Sequence, residues 1–187
     1  MTDKINLLGK NIRIEFSNVG PDQQSEILSD LAVMVRLINQ TIWPPEYADA
    51  YRLMDKIIFF SGEVEVNTHL MSRSCCDEDD RIFYWEVDNE FLLNRDADVH
   101  GHTLFHDCWH IVQYIRDDGF ARQRHVQIAR EIEATNHQIK VAQLLGCDDR
   151  EIDFLKNFRD DQSVILVRLE EGVHIRLPKA AGDKGLA

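Results

Sequence analysis

The chain contains no apolar run long enough to cross a bilayer. No pair among its four cysteines has metal-knuckle spacing, and adjacent Cys75 and Cys76 cannot easily bridge to each other. Reduced thiols and a cytoplasmic location are the expectation, with Cys108 a small core residue. Positive charge is scarce: Lys plus Arg is 21 against 33 Asp plus Glu, a net charge of −12. Such a balance argues against nucleic acid and anionic lipid as partners, because neither phosphate neutralisation nor membrane attraction suits it. Met1 to Lys10 mixes acid and base and lacks the apolar stretch and cleavage site of a secretory signal. Internal repeats and low-complexity linkers are missing too. Nothing in the sequence sets an oligomeric state.

What is present suits one domain over residues 1–187: hydrophobic residues make up 44% and charged residues 29%, enough for a real core. Residues 179–187 are small and polar and are expected to fray. Alternation of Ile12, Ile14 and Phe16 predicts a strand over 11–16. Helical spacing predicts a helix over 21–40, stopped by Pro44-Pro45, and a shorter one over 46–54. A hairpin is expected from 56–60 and 63–68 around Ser61-Gly62, and a further strand over 81–87. The acidic stretch 76–80 reads as a solvated loop. Two long helices are expected over 99–116 and 125–145, then a short helix over 150–158 and strands near 164–169 and 173–177. Strands early and helices late point to the α+β class rather than a doubly wound sheet.

Histidine is where the chemistry concentrates. Eight histidines placed at random in 187 positions give about 0.3 pairs at i, i+4 spacing, yet His102, His106 and His110 make two. On a helix that spacing stacks imidazoles on one face, where their nitrogens converge on one cation. Leu104, Cys108, Ile111 and Ile115 form one apolar stripe of this helix, and Phe105, Trp109 and Val112 another, so the helix is expected to be buried. Buried imidazoles and a buried Asp107 need partners, and a metal ion provides one. In the next helix Ile128, Ile132, Thr135, Ile139 and Ala142 mark the inward stripe, with Glu131 beside it. Glu133 falls on the outer side with His137 and Lys140. Periodicity therefore picks Glu131 as third ligand and leaves Glu133 a surface charge. Two His and one Glu with a position left for water is a zinc donor set.

The run His106-Asp107-Cys108-Trp109-His110, continued by Ile111-Val112-Gln113, resembles the H-E-x-x-H helix of zincin metallopeptidases. Glu131-Ile132-Glu133-Ala134 resembles the E-x-x-A segment of the gluzincin branch, and 82–93 resembles the edge strand and lead-in before the motif helix. The likeness covers about 82–146. It implies a zincin-like domain with a small mixed or antiparallel sheet packed on an active-site helix and a following ligand helix. It also implies a Zn²⁺ ion on His106, His110 and Glu131, Asp107 in the general-base position, and a peptide or protein substrate. Asp stands where the family has Glu, and its carboxylate is drawn back by about 1.5 Å. The resemblance thus supports metal binding more strongly than hydrolysis.

Other readings stay open. Asp107 serves equally as an acceptor that orients a histidine. The domain reads also as a catalytically degenerate zincin-like fold with a binding or structural role. Leu104-Phe105-His106-Asp107 looks superficially like the doublet of HD-type phosphohydrolases, with His69 and Asp148 or Asp149 as the remaining ligands. His100 and His102 are expected on the surface near the helix start, with His102 a spare ligand at most. His69, His125, His137 and His174 read as surface or structural, and Gln113 as a helix-surface residue or a support for a ligand. Tyr114, His125 and His137 are unranked candidates for stabilising an oxyanion.

Overall fold

Side-chain alternation builds the sheet. The computed structural model describes residues 3–61, 72–77, 81–88, 93, 95–119 and 121–170. Strands β1 (Asp3–Leu7) and β2 (Lys10–Ser17) form an antiparallel hairpin across Leu8-Gly9. Both turn residues have positive φ, 50° and 87°, the geometry that a two-residue hairpin requires. Ile12 and Ile14 of β2 are buried, as are Ile57 and Phe59 of β3 (Lys56–Phe60) and Trp85 and Val87 of β5 (Ile82–Asp88). With β4 (Ser72–Asp77) the sheet order is β1-β2-β3-β5-β4. The inner pairs β2–β3 and β3–β5 are parallel and the outer pairs antiparallel, so the sheet is mixed.

A parallel pair needs a long crossover. Helices α1 (Pro21–Gln40) and α2 (Pro45–Arg52) provide it between β2 and β3. Strands and helices are therefore interleaved, where the sequence suggested strands first. The class remains α+β, because the outer strands are antiparallel and three helices follow the sheet: α3 (Ala97–Arg116), α4 (Arg124–Leu145) and α5 (Asp149–Glu170). Each of these packs on the one before it.

Four expectations need correction. The strand β1 was not foreseen, because only Leu7 of its five residues is buried and no period shows. β4 was not foreseen either; Cys76 and Asp77, read as loop, end it. β5 lies between β3 and β4 and is not an edge strand; β1 and β4 form the edges among the described residues. The β-branched run from Val164 continues α5 and is no strand, since neither Gly nor Pro stops the helix there and β-branching costs only a few tenths of a kcal/mol per residue. The expected strands over 63–68 and 173–177 lie outside the described residues, as does the tail.

Helix α3 is buried along most of its length, although Ile115, expected on the buried stripe, is exposed near its end. Leu104, Phe105, Cys108, Trp109 and Ile111 are buried, and Phe105 meets Tyr47 and Tyr51 edge-on and stacks on Trp109. Burial of a large side chain of this kind contributes about 1.5–3 kcal/mol relative to exposure. Gly101 permits a close approach of α4: a Cβ there would sit 2.8 Å from Leu145 Cδ1. The buried Tyr51 hydroxyl donates to the Gly101 carbonyl at 2.9 Å. A separate small apolar cluster, Ile139, Ala142, Ile152 and Leu155, joins α4 to α5.

Candidate metal centre

The helical repeat places His106 directly above His110 on α3, and their Nε2 atoms are 3.0 Å apart. Glu131 reaches them from α4: Oε2 is 3.4 Å from His106 Nε2, and Oε1 is 3.2 Å from His110 Nε2. These three residues form a group whose ligand atoms lie within 4.8 Å of one another. A tetrahedral zinc ion with bonds of about 2.0–2.1 Å holds its ligands about 3.3–3.4 Å apart. The observed spacings fit that set, and two imidazoles with one carboxylate suit a borderline cation. Both histidines are mostly covered, with side chains 16% and 18% exposed, while Glu131 is 39% exposed.

The charges in the group support one another. Burial works against the Glu131 carboxylate, but hydrogen bonds and charge from His106 and His110 outweigh it and hold the carboxyl well below its usual range. Burial likewise disfavours a charged His110, yet the Glu131 hydrogen bond and charge, with Asp107 and Gln113, raise its proton affinity overall. The Glu131 carboxylate is thus held as a fixed anion against the two rings.

Asp107 stays out of the ligand group. Its Oδ2 accepts from Trp85 Nε1 at 2.8 Å and from Ser72 Oγ at 2.9 Å, which ties α3 to β5 and β4. Desolvation raises its proton affinity, partly offset by His106, His110 and the two donors. It nevertheless lines the same cleft as the histidines. That cleft, about 1330 Å³, runs from Ser72 and Ser74 of β4 along His102, His106 and His110 to Glu151 and Phe154 of α5.

Several sequence expectations change here. His100 and His102 are both buried, at 1% exposure, and not on the surface. His102 Nδ1 meets Gln138 Nε2 at 2.9 Å, and its Nε2 lies 3.2 Å from Glu151 Oε1. It packs between α4 and α5, an environment that helix periodicity on α3 does not reveal. Glu133 points away from the ligand group, as periodicity implies, but it is more than a solvated charge. It accepts from Trp109 Nε1 at 3.2 Å and from Arg116 Nη1 at 2.7 Å, bridging α3 and α4. Of the oxyanion candidates, His125 is exposed at the start of α4, Tyr114 packs edge-on against Phe83, and His137 stacks on Trp109 at 3.8 Å. None of the three lines the cleft. For the HD-type reading, His69 lies outside the described residues, and Asp107 does not share the ligand group with His106. Gln113 is fully buried and contacts His110, so it is a support and not a surface residue.

No family model, curated protein or solved structure matches the chain. No helix among the described residues is long and apolar enough to cross a membrane.

Proposed function

We propose that the chain binds one zinc ion through His106, His110 and Glu131 and hydrolyses a peptide or amide bond, as the zincin-like metallopeptidases its motif resembles do. The observation that carries this reading is the convergence of the two Nε2 atoms and the Glu131 carboxylate at 3.0–3.4 Å. When bound, zinc lowers the pKa of water towards about 7 and polarises a carbonyl. The residues supply the rest. Asp107, its proton affinity raised by burial, would take the proton from the water that attacks the carbonyl and return it to the amine as the C–N bond breaks. Ser72 and Trp85 hold that carboxylate in place through Oδ2. β4 is an edge strand among the described residues, and Ser72 and Ser74 line the cleft from it, so an extended peptide has backbone to pair with there.

A second reading, a cation-binding domain without hydrolysis, is favoured by the two donors already engaged on Asp107 Oδ2. One experiment separates them. Metal analysis of the full chain is expected to give about one equivalent of zinc, lost in His106→Ala and kept in Asp107→Asn. The zinc-loaded protein is expected to cleave members of a mixed peptide library, and Asp107→Asn to lose that activity. Zinc binding without any cleavage leaves the second reading standing. Equal, negligible zinc in the wild type and His106→Ala overturns both.

A further inference from the structure

We infer that Gln113 is the positioning residue that sets the tautomer of His110, presenting the Nε2 lone pair to the cation. The purpose rests on the zinc reading; the position of the proton does not. Gln113 is fully buried and lies one turn beyond His110 on α3. Its Nε2 donates to the backbone carbonyl of Arg130 at 2.9 Å. A carbonyl only accepts, so the side-chain amide is confined to one of its two orientations. Oε1 then faces His110 Nδ1, 2.8 Å away. An amide oxygen also only accepts, so Nδ1 must carry a proton. In the neutral ring the lone pair is left on Nε2, the atom facing His106 and Glu131.

The same amide does a second job. Arg130 precedes Glu131, so the bond from Gln113 fixes the turn of α4 that supplies the third ligand. One side chain thus couples the ring of the second ligand to the backbone of the third. His106 has no such device: its Nδ1 is buried without a hydrogen-bond partner among the described residues. The pre-set arm of the site is His110.

The test uses the full chain with two substitutions. Gln113→Met keeps the length and removes both polar atoms. Gln113→Glu keeps an acceptor for the ring proton and loses the donor to Arg130. Zinc affinity, measured by competition with a chelator, is expected to weaken about 10–100-fold in Gln113→Met. In Gln113→Glu it is expected to weaken less than in Gln113→Met, because the ring acceptor is kept while the bond to Arg130 is lost; both variants melt at lower temperature. In the metal-free wild type, nitrogen-edited NMR is expected to show a slowly exchanging proton on His110 Nδ1, absent in Gln113→Met. An unprotonated Nδ1 in the wild type, or equal zinc affinity in the wild type and Gln113→Met, overturns the inference. If the wild type takes up no zinc, the zinc reading fails, and the Nδ1 proton alone decides the role of Gln113.

Discussion

The grouping of His106, His110 and Glu131 was legible because helix period selects the face on which each of them lies. Spacing of four puts the imidazoles together, and the stripe through Ile128 and Thr135 separates Glu131 from Glu133. Glu131→Gln keeps the shape and removes the charge, and is expected to weaken zinc binding at least about tenfold in chelator competition. What surrounds Asp107 was not legible, since Ser72 and Trp85 come from strands far away in sequence. Trp85→Phe removes the indole donor from a buried carboxylate and, the ring being smaller, also leaves space in the core. Its expected cost is about 1.5–3 kcal/mol in urea unfolding at neutral pH. The burial of His102 was hidden for the same reason: Gln138 and Glu151 arrive from later helices.

The helices show where local pattern suffices and where it fails. α1 through α4 follow from apolar spacing and from Pro and Gly boundaries; Gly146, with φ 85°, closes α4 in the left-handed conformation. α5 was cut short in the sequence reading because β-branching was weighed above continuity. Its only buried apolar anchors, Ile152 and Leu155, sit in the small cluster apart from the main core. Leu155→Ala is therefore expected to cost about 2–5 kcal/mol and to lower hydrogen-exchange protection in α5 more than in α3. Between α3 and α4, Arg116 and burial act in opposite senses on Glu133, and Arg116 wins, holding its carboxyl below the usual range. A depressed acid stabilises the fold above its unfolded pKa, about 4.3, and loses that contribution as pH falls through the lower folded value. With side chains 49% and 31% exposed, the Arg116–Glu133 pair is expected to be worth about 0.2–1 kcal/mol. Thermal melts of wild type and Arg116→Met should differ at pH 7 and converge near pH 2.

For the molecule as a whole, a cation that binds only the folded chain acts as a clamp on α3 and α4. Zinc at a hundred times its dissociation constant is expected to stabilise the protein by about 2.7 kcal/mol, reversed by chelator and absent in His110→Ala; thermal unfolding with and without zinc measures it. The class, α+β, was reached from an expected order of strands before helices, and it holds although the elements interleave. The interleaving was not legible, because parallel pairing depends on where helices cross the sheet, and no local pattern records that. Asp107 then takes on a different meaning. Its carboxylate spans a fixed gap between a helix and two strands, so the helix cannot roll about its own axis without breaking both anchors. A glutamate at 107 would carry its oxygens past the Ser72 and Trp85 donors. The shorter acid is the length that this gap accepts, and the sheet thereby sets the roll of the helix that carries both imidazoles.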